Sequence, residues 1–216
     1  MASSINSNLL VDELYKCRHY VDGVIVAEII NATYSHPRFP LPALRDALST
    51  GQLGSKVWLA RKLGLNIQTH HKILIVGGWI GSLARILFEN TQAAHITSID
   101  LDEMSNSMAR QINAAFDFTA ITQDMYAMSP EEYAKYDVVI NTSCEHISDV
   151  KEWVQLLRPG TYVAAQSNNF FSCDQHINCV NSEDELESQL GLSQTNFKGS
   201  LDFPGVYTRY MVIGRV

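Results

Sequence analysis

The rhythm of apolar positions changes near residue 70. Between Leu9 and Val21, the residues Leu10, Leu14, Cys17 and Val21 recur in steps of three and four, which predicts an amphipathic helix. Val24 to Ile30 is short and β-branched, so its pattern does not separate helix from strand. Tyr34 to Pro42 carries Pro37, Pro40 and Pro42 and must be irregular, because each proline lacks a donor and pushes its predecessor out of the α region. Short helices are predicted over Ala43 to Leu48 and Ser55 to Leu63, the second stopping at Gly64.

From Lys72 onward, short apolar runs alternate with amphipathic ones. Strands are predicted at Lys72 to Val76, His95 to Ile99, Phe118 to Thr122, Asp137 to Asn141 and Thr161 to Ala165. Helices are predicted between them at Ser82 to Phe88, Glu103 to Ala115 and Val150 to Leu157. Ser129-Pro130-Glu131-Glu132 reads as a capping box, and Ser182-Glu183-Asp184-Glu185 as a second that opens a helix to Leu190. Two more strands are predicted near Thr195 to Leu201 and Val206 to Ile213.

Strands that are apolar on both sides, separated by helices, imply a mostly parallel sheet covered on both faces. The expected architecture is a doubly wound α/β fold, with a helical N-terminal cap over residues 1–67 and the sheet domain over residues 68–216. Ligands of such sheets bind beyond the carboxyl ends of the strands, where strand order reverses.

Composition narrows the function classes. Sixteen Lys and Arg against 23 Asp and Glu give a formal charge of −7, so a nucleic-acid partner is not expected, and with no spanning segment in view neither is a membrane. No basic leader or spanning segment is visible, and the four cysteines form no CxxC pair, which together suggest a cytoplasmic protein with reduced thiols. A homodimer is compatible with the sequence, which does not select an oligomeric state.

The strand ends carry the candidate chemistry. After the first strand comes Gly77-Gly78-Trp79-Ile80-Gly81; after the second, Asp100-Leu101-Asp102; after the third, Asp124-Met125; after the fourth, Asn141-Thr142-Ser143-Cys144-Glu145-His146; after the fifth, Gln166-Ser167-Asn168-Asn169. A glycine-rich turn lets a ligand approach the backbone, and a carboxylate at the next strand end can accept both hydroxyls of a ribose. The dinucleotide fingerprint G-x-G-x-x-G fails, because Trp79 or Ile80 stands where the second glycine belongs, and no G-x-x-x-x-G-K-S/T sequence exists.

These segments resemble class I S-adenosylmethionine-dependent methyltransferases, over about two thirds of the chain from Lys72 onward. Ile73 to Gly81 resembles the family's first motif, Ser98-Ile99-Asp100 its ribose-binding acid, Gln123-Asp124-Met125 its adenine segment, and Leu157-Arg158-Pro159-Gly160-Thr161 the turn before its fifth strand. The pairing of Gly-Gly-Trp-Ile-Gly with Asn-Thr-Ser-Cys-Glu-His is also similar to methyltransferase-like proteins, some of them viral. The resemblance implies a seven-stranded sheet ending in an antiparallel pair, S-adenosylmethionine as cofactor, and N- or O-methylation of a polar small molecule. Gly77, Gly78, Trp79, Gly81, Asp100, Leu101, Asp124, Met125 and Asn141 are then the cofactor-binding residues, and Asn141, Glu145 and His146 the catalytic candidates.

Two departures stand out. Ile75 replaces the acid that usually precedes the first glycine, and Trp79 replaces the favoured middle glycine. They keep two alternatives open: another enzyme on the same cofactor (a lyase or an aminopropyl transferase), or a catalytically silent binding module. The spacing Cys173-x-x-His176-x-x-Cys179 suits zinc, but its apolar neighbours and the lack of a paired motif argue against it, so no metal is expected. Cys144 reads as a buried, inert thiol, Asn168, Asn169 and His176 as pocket polar groups, and the Tyr34 to Pro42 loop with Trp58 as a lid.

Overall fold

A computed structural model of the chain describes Lys16 and residues 19–216. The helix predicted between Leu9 and Val21 therefore lies almost wholly outside the described residues. Among the described residues, three helices come first: α1 (Gly23–Ser35), α2 (Leu41–Ala47) and α3 (Thr50–Leu63). The alternating region then runs β1 (Lys72–Val76), α4 (Ser82–Asn90), β2 (His95–Asp100), α5 (Glu103–Ile112), β3 (Phe118–Thr122), α6 (Pro130–Tyr133), β4 (Val138–Asn141), α7 (Val150–Gln155), β5 (Tyr162–Asn168), α8 (Glu183–Leu190), β6 (Gln194–Phe203) and β7 (Tyr207–Arg215).

The seven strands form one sheet in the order β3-β2-β1-β4-β5-β7-β6. Strands β1 to β5 are parallel, while β7 is antiparallel to both β5 and β6. Order reverses between β1 and β4, and the two connections leave a crevice above them. Buried side chains fill two layers: α1 to α5 pack on one face of the sheet around Ile73, Ile75, Ile140 and Met211, and α6 to α8 pack on the other around Leu74, Val139, Trp153 and Val212. The N-terminal helices thus share a core with the sheet.

Specific polar contacts fix the N-terminal helices in place. Asp22 caps α1 by accepting from Val24 N at 2.9 Å. At the other end of α1, His36 Nδ1 donates to Ala32 O at 2.8 Å and its Nε2 accepts from Ser107 Oγ on α5 at 2.9 Å. Glu28 pairs with the buried Arg85 of α4 at 2.7 Å. Asp22 settles the ambiguity at Val24 to Ile30: a cap opens a helix there, and Ile25 and Ile29 turn into the core.

Helix α3 begins at Thr50, five residues before the expected start. Gly51 and Gly54 argue against helix by propensity, but each faces an aromatic ring: a Cβ on Gly51 would lie 2.3 Å from the Tyr207 hydroxyl, and one on Gly54 3.1 Å from Tyr20. Close packing overrides propensity here. The first capping box is complete, with Ser129 and Glu132 bonded reciprocally. The second is half of one: Ser182 caps Glu185 N at 3.1 Å, but the Glu185 carboxylate accepts from Asn181 N instead of Ser182 N.

Candidate functional site

A cavity of about 1230 Å3 opens at the carboxyl ends of β1, β2, β4 and β5 and continues under α2 and α3. Single-ligand pockets run roughly 300–1000 Å3, so this one has room for two small molecules. A second depression of about 690 Å3, around Leu65, His70 and Gln92, lies at the amino ends of the strands, away from the crevice.

One wall of the large cavity is built by the glycine turn. Gly77 adopts φ +64°, and Gly78 sits so close to β2 that a Cβ would lie 1.8 Å from Ser98 Oγ. Trp79 is left-handed at φ +49°, the only described non-glycine residue with positive φ. That conformation explains why a glycine would suit the position. The indole is compensated by packing: it lies 6.5 Å from the Phe39 ring, with the Lys56 ammonium 5.8 Å from its centroid. Asp100 accepts from Trp79 N at 2.8 Å and from Asp102 N at 3.0 Å, which places its carboxylate beside the turn in the cavity wall. Leu101 follows it with its side chain exposed at the cavity edge.

The opposite wall is built from side chains. Glu145 is 3% exposed; its Oε1 accepts from Arg209 Nη1 at 2.8 Å and from Asn168 Nδ2 at 2.6 Å, while Oε2 has no hydrogen-bond partner. Arg209, also 3% exposed, is carried by β7 and lies 5.2 Å from the Tyr207 ring centroid. His146 and His176 stand beside them with ring centroids 4.7 Å apart. The roof adds Lys56 and Asp46. Burial pushes the Lys56 ammonium down to about 8, reinforced by Arg209 and opposed by Asp46 and Glu145. Burial raises the Asp46 carboxyl, against the pull of Lys56.

The cavity therefore brings together Gly77, Gly78, Trp79, Asp100, Leu101, Glu145 and His146. Four expected site residues stand elsewhere. Gly81 packs into α5, where a Cβ would lie 2.7 Å from Ala109 Cβ, so it serves helix packing and faces no ligand space. Asn141 is buried behind the cavity wall and its Oδ1 accepts from Ser143 N at 2.8 Å, which shapes the turn. Asp124 caps the turn Met125–Ala127 by accepting from Tyr126 N at 2.9 Å, and Met125 packs against the core with its carbonyl on the Tyr133 hydroxyl. Both lie beyond the cavity walls, at the end of β3. Glu145 is no free base, since Arg209 and Asn168 hold its carboxylate.

Among the other expectations, Cys144 is buried and its thiol is pushed well up by desolvation, an inert position. Asn168 serves Glu145, Asn169 receives Thr208 N at 2.8 Å, and His176 lines the cavity. Trp58 is not part of a lid: its ring packs edge-on against Phe197 of β6, 6.1 Å away. Pro42 does line the mouth. Sequence reasoning missed Lys56, Asp46 and Arg209. Lys56 and Arg209 carry a usable signal, each being a lone cation in an apolar run, at Leu53 to Leu59 and Tyr207 to Ile213.

The strand order and the cavity define a class I methyltransferase fold. Solved structures bear this out. The N-methyltransferase NodS from Bradyrhizobium japonicum WM9, in complex with S-adenosyl-L-homocysteine, superposes with a TM-score of 0.61 at 14% identity, covering 76% of this chain and 86% of NodS. Magnesium protoporphyrin IX methyltransferase from Synechocystis PCC 6803, with bound SAM, gives 0.53 at 16% identity over 76% and 77% of the two chains. Phosphoethanolamine N-methyltransferase 2 from Haemonchus contortus gives 0.61 at 12% identity, over 76% of this chain and 53% of that one. No protein-family model matches the sequence, and no curated protein matches it either. No described helix is long and apolar enough to cross a membrane.

Proposed function

We propose that the chain is an S-adenosylmethionine-dependent methyltransferase acting on a polar small molecule. The observation that carries this reading is the position of Asp100, in the wall of a two-ligand cavity between the glycine turn and exposed Leu101. When bound, the cofactor supplies a methyl group already activated by its sulfonium. The residues here suit its parts. Asp100 would accept the ribose hydroxyls, and Leu101 offers an apolar face to the adenine. Ile75 is buried and offers no charge to the amino-acid end. Lys56 and Asp46 bring opposite charges to the roof and would answer its carboxylate and ammonium in place of the missing acid. The acceptor would lie toward His146 and His176, which line the cavity on the side of Glu145. Two of the three similar structures are N-methyltransferases, and the Haemonchus contortus enzyme was solved with phosphomonomethylethanolamine, which supports the same class.

Calorimetry with S-adenosylmethionine, S-adenosylhomocysteine and NADH tests the reading. Both adenosyl ligands are expected to bind and NADH not to. Affinity for NADH alone would overturn it, because a dinucleotide needs the glycine that Trp79 replaces. Release of S-adenosylhomocysteine, and not methylthioadenosine, separates methyl transfer from lyase or aminopropyl chemistry. Ile75 and the strained Trp79 favour one second reading, a catalytically silent module; binding of adenosyl ligands without product from any acceptor would select it.

A further inference from the structure

Glu145, His146 and His176 each place one ligand-type atom within 4.8 Å of the others, and all three line the cavity. Their hydrogen bonds leave them in an unusual state. His146 Nδ1 lies 3.1 Å from Gln175 O and His176 Nδ1 lies 2.9 Å from Phe170 O. A carbonyl only accepts, so each Nδ1 is a donor, and Nε2 is the nitrogen of each ring that a metal ion could take. Independently, Glu145 Oε2 is buried and without a partner, although unsatisfied buried carboxylate oxygens are expensive. Arg209 and Asn168 on Oε1 hold the carboxylate oriented.

We infer that Glu145, His146 and His176 form a binding site for a divalent first-row transition metal ion. Neutral imidazoles with their second nitrogens on carbonyls, and a carboxylate steered by outer partners, are the donor set such ions take. Bonds near 2.0–2.1 Å hold tetrahedral ligand atoms about 3.3 Å apart, so the three must draw in by about an ångström or more. His146, the exposed last residue of a short turn whose other two residues are buried, has room to do so. Three protein ligands leave a position open toward the cavity. The cysteines of the Cys173-x-x-His176-x-x-Cys179 spacing stay outside: Cys179 Sγ donates to Asn168 Oδ1 at 3.6 Å, and only His176 of that motif joins the cluster.

The site stands on its own geometry and does not rest on the methyltransferase reading. Full-length chain stripped with chelator and dialysed is titrated with Co2+, followed by displacement with Zn2+. One ion per chain with a visible Co2+ spectrum is expected. His146→Ala and His176→Ala should each weaken binding by at least about 100-fold, the upper end for changes merely in outer partners. The double variant His70→Ala, His71→Ala, at a distant histidine pair, should bind as the wild type does. Circular dichroism and thermal melting on the same preparations check that each variant folds, and S-adenosylhomocysteine binding, measured separately, keeps the two readings apart. Substoichiometric binding, or binding lost with His70 and His71 but retained without His146 and His176, would overturn the site.

Discussion

Asp100 and Glu145 are both acids at strand ends, on opposite walls of one cavity, and their surroundings differ. Asp100 is half-buried and meets main-chain N–H groups of Trp79 and Asp102. Glu145 is buried and meets the side chains of Arg209 and Asn168. Backbone donors near solvent come with the loop itself, and water can replace their acceptor. A buried guanidinium has no such substitute. The first wall is therefore free to exchange partners with a ligand, whereas in the second Arg209 and Asn168 hold Glu145 through Oε1 and leave only Oε2 over.

The largest test of this contrast is Glu145→Ala. It strands the Arg209 charge in the interior and should destabilise the fold by about 3–5 kcal/mol, read from urea denaturation. A loss below about 1 kcal/mol, the scale of an exposed pair, would erase the distinction between the walls.

Lys56 extends the comparison to the roof, since it is a buried cation with a hydrogen bond to Gln52 Oε1 at 2.6 Å and no carboxylate in direct contact. Its pKa falls from 10.5 unfolded to about 8 folded. Between these values the unfolded chain holds more protons, so stability rises with pH through that window, and the full penalty applies below pH 8. Lys56→Met should remove a penalty of up to about 3 kcal/mol at pH 7 and flatten the rise between pH 8 and 10.5. A variant less stable than the wild type at pH 7 would mean that the ammonium is well paired.

Asp100→Ala should do the reverse of Glu145→Ala. We expect roughly 1.5–3 kcal/mol of lost affinity for S-adenosylhomocysteine, the range for charged hydrogen bonds, with thermal stability changed by less than about 1 kcal/mol. Unchanged affinity would show that the ribose is held elsewhere. Asn168→Ala, which removes one of two donors to Glu145 and leaves Arg209, should give the smallest loss, about 1–2 kcal/mol of stability.

The sheet could be read from the chain because its central strands β1, β4 and β5 are almost wholly buried runs, whereas β3 at the edge is mostly exposed, and Gly77, Asp100 and Glu145 lie at or just beyond strand ends. Other features depend on partners remote in sequence. Nothing local reveals that Gly51 and Gly54 accommodate Tyr207 and Tyr20, so α3 was expected to start late. Asn141 and Asp124 have residue types that suit ligands, and in both the side chain is consumed by a turn two residues on. Lys56 and Arg209 meet the cavity only after the sheet has closed, across 111 residues in the case of the Gln166 to Ser55 contact that seats α3 against β5.

The placement of Arg209 has a consequence for synthesis. Strand β7 is the last of the seven in chain order, yet it slots between β5 and β6 and delivers the guanidinium 64 residues after Glu145. At about 5–20 residues per second on the ribosome, the Glu145 carboxylate waits several seconds for its counter-charge. Burying that carboxylate is costly without the guanidinium, so this wall of the cavity is completed only when β7 pairs with β5.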